Sequence, residues 1–300
     1  SYTTNLSRAL MESYLVKKEN KAVPFSSVEN YQTKTFIETF ADRDPRYAQT
    51  FMYPGYIRPG DVQPFVPNMN LGGYPQIKFV SKDAQQIMPG TSYNDLPLMR
   101  LGEILLIYAE AKAELGTLNQ EDLDKSINKL RDRVGMPHMI LSELVTDPTL
   151  EQQYPNVSGA MKNAILEVRR ERRVELACEG FRKDDILRWR VGTLLEMPQG
   201  AYIAAINEVF DVTGDGVSDV GIFLNSASVK PIYKKKICYY LEDENGEKTG
   251  ISLSEGDHGY IILTNDLTSP KKFIEPKYYY FPIPQGERVT NPNLHETNFW

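Results

Sequence analysis

The sequence predicts a mainly α fold, built of tetratricopeptide-like helical hairpins with long irregular loops and a small β-hairpin element. Three observations predict it. Apolar residues recur every three or four positions between Pro97 and Leu195, the spacing that lines one face of a helix. Prolines and glycines crowd the chain before that span, where regular structure cannot run far. After residue 200 an Asn245-Gly246 step lies between β-prone runs, a strong short-range hairpin signal. The chain divides accordingly into a loop-rich segment at 1–96, paired helices at 97–195, and a β-hairpin with an extended tail at 196–300.

The loop-rich segment opens with a short amphipathic start around Leu6, Leu10, Tyr14 and Leu15. Seven prolines from Pro45 to Pro89 then punctuate it, and Phe51-Met-Tyr-Pro-Gly-Tyr-Ile-Arg-Pro-Gly60 and Asn68-Met-Asn-Leu-Gly-Gly-Tyr74 mount aromatic and amide side chains on Gly/Pro loops. Binding groups are commonly carried on such loops. From Pro97, Leu98, Leu101, Leu105, Tyr108 and Ala111 line one helical face and Gly116 supplies the stop. A second helix follows with Leu123, Ile127, Leu130 and Val134, ending at Gly135. The next pair is a helix capped by Ser158 and running to Gly180, with a partner from Asp184 to Leu195. Two hairpins of similar length are the pattern of a helical repeat. Residues 229–241 and 248–253 flank the Asn245-Gly246 turn, Tyr260-Ile-Ile-Leu263 adds a strand, and the tail from Tyr278 to Trp300 reads as extended chain packed over the helices.

One helix is unusual. Its buried stripe begins with Met161, Ala164, Ile165 and Val168, and the next positions on that stripe are Glu171, Arg172 and Glu175. An isolated charge is too costly to bury, so this spacing points to an ion-pair network inside the fold, with guanidinium forks matched to carboxylates. A nucleic-acid patch is the opposing reading. It fails because acidic and basic residues nearly cancel between Glu167 and Arg190, leaving no single-sign field to draw phosphate.

Composition narrows the function further. A net charge of −6 argues against generic binding to polyanions, and 18 Tyr with 12 Phe give ample aromatic surface chemistry. No apolar run reaches the roughly 18 residues that cross a bilayer, since Arg100, Glu103, Glu110, Lys112 and Glu114 interrupt the longest helix. Ser1-Tyr-Thr-Thr-Asn5 shows no basic or apolar signal-peptide region. Cys178 and Cys238 stand sixty positions apart, so neither a zinc cluster nor a redox pair is indicated. His138, His258 and His295 are scattered, with no HExxH, GxSxG, Walker or GxGxxG motif, and the chain is read as not an enzyme.

Asp211-Val-Thr-Gly-Asp-Gly-Val-Ser-Asp219 resembles the front of a calcium loop. Asp211, Thr213, Asp215 and Asp219 would give oxygen ligands, Val217 a carbonyl, and Gly216 the sharp turn. Ile222 stands where the bidentate Glu belongs. The expectation is a structural calcium site, set against a metal-free Asp/Gly turn.

Four ordered segments carry a family resemblance. Arg169-Arg-Glu-Arg-Arg-Val-Glu-Leu-Ala-Cys-Glu-Gly-Phe-Arg182 with Asp185-Ile-Leu-Arg-Trp189 resembles the signature of the SusD/RagB family of outer-membrane nutrient-binding lipoproteins. Arg43-Asp-Pro-Arg46 resembles its upstream motif, and Leu98-Met-Arg-Leu-Gly-Glu-Ile-Leu-Leu-Ile-Tyr-Ala-Glu-Ala111 its Tyr-Ala-Glu-Ala helix. Phe281-Pro-Ile-Pro-Gln-Gly-Glu287, Asn291-Pro-Asn-Leu294 and Trp300 resemble its ending. Cys178 departs from the aromatic or small apolar residue usual there. Family members are longer, with a leader, a lipid-bearing cysteine and early tetratricopeptide-like helices, so the chain looks like the C-terminal portion of a member.

The resemblance implies a non-catalytic, surface-exposed outer-membrane receptor that captures oligosaccharides and passes them to a TonB-dependent transporter. It would touch the membrane only through a lipid anchor on the missing N-terminal part. An oligopeptide-binding member, a glycoside hydrolase and a helical-repeat adaptor are the alternatives. Sugar capture needs aromatic faces for pyranose C–H surfaces and polar side chains for hydroxyls. The candidates are Tyr53, Tyr56, Phe65, Asn68, Asn70 and Tyr74. Trp189 and Trp300 are weaker, because they sit in the signature and the family tail.

Overall fold

The computed structural model describes residues 4–86, 90, 91, 93, 95 and 97–296. Its helices form where the apolar spacing placed them, with ends set by local chemistry. The face named for the first long helix is not the buried one: Leu98, Leu101, Tyr108 and Ala111 are exposed, while Leu106, Ala109 and Ala113 face the core. Ser7 caps α1 (Arg8–Ser13), its hydroxyl accepting from the Leu10 amide. Val16–Lys18 (β1) and Lys21–Val23 (β2) form an antiparallel hairpin that the sequence reading did not anticipate. Asp44 caps α2 (Pro45–Thr50), with Pro45 in the first turn where its missing N–H costs nothing.

The expected first hairpin forms from α3 (Leu101–Glu114) and a second arm that is broken in two. Ser126 takes φ −125 and ψ −92 and separates α4 (Gln120–Lys125) from α5 (Ile127–Val134). Gly135 ends α5 at φ 65, a left-handed position that suits glycine. A short helix α6 (Pro148–Gln153) then precedes α7 (Lys162–Glu175).

The charged helix begins after Met161 rather than at Ser158, and stops at Glu175 rather than Gly180, with Cys178 in the left-handed region at φ 65. Its partner α8 is short (Arg182–Arg188), the rest of the expected arm being a 3-10 turn at Gly192–Leu195. Helix α3 packs on α4, α5 and α7, the neighbour pattern of stacked helical hairpins.

The β-elements differ from a single hairpin. Tyr202–Ile203 (β3), Glu208–Phe210 (β4), Val220–Phe223 (β5), Ile237–Tyr240 (β6), Ile251–Leu253 (β7) and Gly259–Leu263 (β8) form two three-stranded sheets, ordered β3-β8-β7 and β4-β5-β6. The Asn245-Gly246 turn does close, with Glu242 bridging Lys248 and Gly246 at φ 81. Its arms then part: β6 runs parallel to β5, whereas β7 pairs with β8 in the other sheet.

After α9 (Thr264–Thr268), the tail also departs from expectation. It contains α10 (Gln285–Thr290), is largely exposed, and leaves Phe281 77% exposed. It touches the end of the helical region through Phe273 against Gly192 and through Tyr279, whose hydroxyl accepts from the Gly192 amide.

Among the described residues, two apolar clusters fill the interior. One joins Leu106, Leu123, Ile127, Ile165, Val168 and Trp189 among the helices. The other joins Tyr14, Tyr47, Phe51 and Tyr74 of the loop-rich segment to Val220, Ile222 and Ile261 of the sheets, and includes Val174 of α7. Helix α7 therefore serves both clusters.

The buried charges of α7 are matched as the sequence required. Arg46 donates to Asp44 at 2.7 Å and to Glu175 at 2.9 Å, and lies 2.7 Å from Glu171 as an ion pair. Arg131 meets the other Glu171 oxygen at 2.9 Å. Glu175 also receives Arg100 and Arg133, each at 2.7 Å, and Glu179 receives Arg100 and Lys78 at 2.6 Å. A second set links Arg172 to Asp185 at 2.9 Å and Arg188 to Asp185 and Glu110, with the Trp189 indole donating to Glu110 at 2.8 Å. Arg170 serves Asp147 and Glu167. Arg43 is held differently: it donates to the carbonyls of Thr39, Met11 and Tyr14 and lies over the Phe25 ring. Burial lowers its pKa to about 10.

Burial alone would raise the Glu171 pKa, but the charges of Arg46 and Arg131 overcome it and hold the carboxyl at about 2 against an ordinary 4.5. Glu175, Glu179 and Glu110 are lowered on the same balance. A folded pKa below the unfolded one contributes stability above the unfolded value that is lost as pH falls through the folded value. Urea midpoints are therefore expected to drop as pH falls from 4.5 toward 2. Glu171→Gln should cost about 3–5 kcal/mol at neutral pH and show a shallower acid decline. Parallel pH curves for the two proteins would contradict the assignment.

Candidate functional site

The loop candidates are organised by one turn. Pro54 and Gly55 occupy its central positions, Gly55 has φ 80, and the Tyr56 amide donates to the Tyr53 carbonyl at 3.0 Å. That is a type II turn, whose third residue needs positive φ. It sets the Tyr53 and Tyr56 rings edge to face with centroids 5.5 Å apart. The Phe65 amide donates to the Tyr56 carbonyl at 2.8 Å, which draws the third aromatic residue to the same loop. Tyr53 is 40% exposed, while Tyr56 and Phe65 are half-buried.

The sequence reading missed a polar pair here. Arg58 grips Asp61 in a two-pronged bond at 2.8 and 3.1 Å, with its guanidinium 5.3 Å from the centre of the Phe65 ring. The three-residue spacing of opposite charges on a Pro/Gly loop was the available signal. Such a fork orients charge-assisted donors and acceptors beside an aromatic face.

The remaining candidates divide. Asn68 and Asn70 are exposed on the next turn, the Asn68 side-chain Oδ1 accepting from the Asn70 backbone N–H at 3.0 Å. Tyr74 is different. It is fully buried, with its ring among Phe36 and Phe51. Its place is in the core, because the glycines before it return the chain to the interior: the Ala201 amide donates to the Gly72 carbonyl at 2.8 Å. Trp189 is also buried, and Trp300 lies outside the described residues.

The acidic loop joins β4 to β5. Asp211 accepts from the Gly214 and Gly216 amides, each at 2.7 Å. Asp219 accepts from Val212 and Thr213 at 3.0 Å, and Asp215 from Val217 at 2.8 Å. Burial opposes ionisation of Asp211, but those glycine amides hold its pKa below the ordinary carboxylate value. Thr213 is buried, and Val217 is 55% exposed. Ile222 at the closing position is fully buried in β5 and offers no oxygen. Among the described residues, no three His, Cys, Asp or Glu side chains gather as a metal-ion cluster. The self-closed turn is thus sufficient to explain the loop's shape.

The two loops touch, which the sequence could not show. A Cβ built on Gly55 would lie 3.6 Å from the Thr213 carbonyl oxygen, and one on Gly214 would lie 3.2 Å from Pro54 Cβ. The acidic loop thus supports the turn that carries Tyr53 and Tyr56. Elsewhere, a groove of about 840 Å³ lies between the β1–β2 hairpin and residues 138–149, lined by Val23, Tyr31, Met139 and Leu144. None of the sequence candidates lines it.

With this geometry in hand, comparison with protein families is decisive. The SusD_RagB model, described as the SusD family, matches residues 2–300. The chain belongs to the SusD family. Its fold is similar to that of a SusD-like protein from Bacteroides fragilis, with a TM-score of 0.59 and 17% identity, covering 99% of this chain and 47% of that one. It is also similar to a SusD-like carbohydrate binding protein from Bacteroides fragilis, with a TM-score of 0.55 and 22% identity, covering 98% of this chain and 51% of that one. The chain thus spans about half the length of these solved SusD-like structures. Comparison with curated proteins found no match. Among the described residues, no helix is long and apolar enough to cross a membrane.

Asp211→Ala is expected to lower stability by about 1–2 kcal/mol by removing the charged acceptor of two loop amides, and to speed hydrogen exchange at residues 53–56. Unchanged exchange there would show that the acidic loop does not support the turn. The calcium proposal has its own readout. Calcium would raise the melting temperature and Asp215→Ala would abolish the increment, whereas a melt unchanged by chelation leaves a metal-free turn.

Proposed function

We propose that this SusD-family chain belongs to a non-catalytic, cell-surface glycan-binding protein that captures oligosaccharides and passes them to a TonB-dependent outer-membrane transporter. The observation that carries the reading is the loop cluster of Tyr53, Tyr56 and Phe65 beside the Arg58–Asp61 fork. Tyr rings offer apolar faces to pyranose C–H groups while keeping a polar edge in water. The fork, with Asn68 and Asn70, supplies donors and acceptors for hydroxyls. A SusD-like relative of the same fold is named as carbohydrate binding. Attachment at the outer-membrane surface through a lipid anchor belongs to the same proposal.

Capture needs no bond-breaking group, so the reading assigns no catalytic residue. Binding is expected to be weakened about tenfold by Tyr53→Ala or Tyr56→Ala with the circular dichroism spectrum unchanged. The measurement is isothermal titration against a panel of oligosaccharides, with oligopeptides alongside and product analysis for new reducing ends. Glycan binding indifferent to both substitutions would move the site elsewhere, with the groove beside Tyr31 the next place to test. Peptide binding alone, or release of reducing ends, would overturn the glycan-capture reading.

A further inference from the structure

The ion network around α7 opens to the surface through a second cavity, of about 260 Å³. Its buried side is carboxylate: Glu175 and Glu179 have side chains only 1% and 6% exposed. Its outer side is cationic, formed by Lys78, Arg100 and Arg133, with Phe79 as the apolar wall. Tyr53, Tyr56 and Phe65 do not line it, so it is separate from the proposed glycan loops.

The charges do not cancel. Among the described residues, five cations (Arg46, Lys78, Arg100, Arg131 and Arg133) are joined to four carboxylates (Asp44, Glu171, Glu175 and Glu179). The surplus sits at the mouth. Arg46 and Arg131 are almost fully buried and Arg100 engages all three of its nitrogens, whereas the Arg133 side chain is 53% exposed. Only its Nη2 is used, on the two Glu175 oxygens at 2.8 and 2.7 Å. Among the described residues, its Nε and Nη1 meet no acceptor. Both Glu175 oxygens are already claimed, so neither can neutralise the outward face of Arg133.

The wall adds a preference for shape. Phe79 is 41% exposed and holds φ 70, a left-handed conformation that is unfavourable for a bulky residue. Strain of this kind persists where the surrounding structure over-determines it, and such positions cluster at binding sites. The ring stands beside the Lys78 ammonium, 5.6 Å from its centre. A ligand suited to this cavity therefore pairs one negative charge with a small apolar body.

We propose that the cavity is a binding site for a small organic monocarboxylate, its carboxylate on the free Nη1 of Arg133 and its apolar body on Phe79. One carboxylate matches the single surplus charge, and one of its oxygens would accept a charge-assisted hydrogen bond from the free Nη1 of Arg133. The volume lies just below the usual range for drug-sized ligands, which suits a ligand of one ring or a short alkyl chain.

Benzoate is the probe, with benzamide as its uncharged isostere and sodium chloride at equal ionic strength as the control. Titration at neutral pH is expected to show saturable one-to-one binding of benzoate and none of benzamide, with the Phe79 amide resonance shifting as benzoate binds. Arg133→Gln should weaken binding roughly tenfold or more, the worth of a charge-assisted pair, and Arg133→Lys should retain part of it. Arg133 lies at the rim, and circular dichroism checks that each variant is folded. Benzoate no better than chloride, equal binding of benzamide, or full affinity in Arg133→Gln would each overturn the proposal.

Discussion

The clamp of Arg46 on the buried carboxylates of α7 is the constraint on which the rest of the structure depends. Arg46 comes from α2, in the loop-rich half, while Glu171 and Glu175 come from the central helix. Both carboxylates are almost fully buried, a condition affordable only with complete pairing. Each needs partners from more than one element: Arg131 from α5 for Glu171, and Arg100 and Arg133 from either end of the first hairpin for Glu175. A shift of α2 or α5 by one turn would strand a buried charge. The network therefore fixes register among elements that apolar packing alone would leave freer to slide.

The binding loops are built outward from that point. Helix α2 ends at Thr50, Phe51 enters the core, and a bridge from Phe51 to Gln76 closes the chain that carries residues 52–75. A second closure comes from the sheets. The Gly200 amide donates to Ile261, Ala201 donates to Gly72, and a Cβ on Gly200 would strike the Gly72 backbone. Between these anchors the type II turn presents Tyr53 and Tyr56, and the acidic loop supports it from the side. The aromatic residues nearest the anchors, Phe51 and Tyr74, are core, and those between them are presented.

Helical periodicity and misplaced charge were legible in the sequence because both are local. The passage from Val168 to Glu171 and Glu175 read directly as a buried ionic helix. On α3, by contrast, the apolar spacing gave the helix but not its buried face: Leu101, Tyr108 and Ala111 are exposed, and Leu106, Ala109 and Ala113 face the core. Long-range pairing was not legible. Asn245-Gly246 fixed a turn, but nothing within its arms said that β6 would join β5 in parallel while β7 joined β8. The break at Ser126 was hidden because its apolar neighbours keep helical spacing, although the Ser126 hydroxyl turns back to the Asp122 carbonyl at 2.6 Å. At the site, loop composition put Tyr53, Tyr56 and Phe65 on Pro/Gly loops, and the structure draws them together at one turn. Composition could not tell Tyr74 apart from them, since burial there is decided by a distant glycine contact. The meeting of the acidic loop with the Pro54-Gly55 turn joins residues more than 150 positions apart, beyond any local signal.

The most direct measurement of the central claim is a double-mutant cycle between Arg46→Met and Glu171→Met, followed by urea unfolding at neutral pH. If the clamp sets the register between the two halves, the two substitutions are strongly non-additive, with a coupling of about 2 kcal/mol or more. Additivity within about 0.5 kcal/mol would mean that the two residues act independently, and that apolar packing rather than the buried clamp holds the halves together.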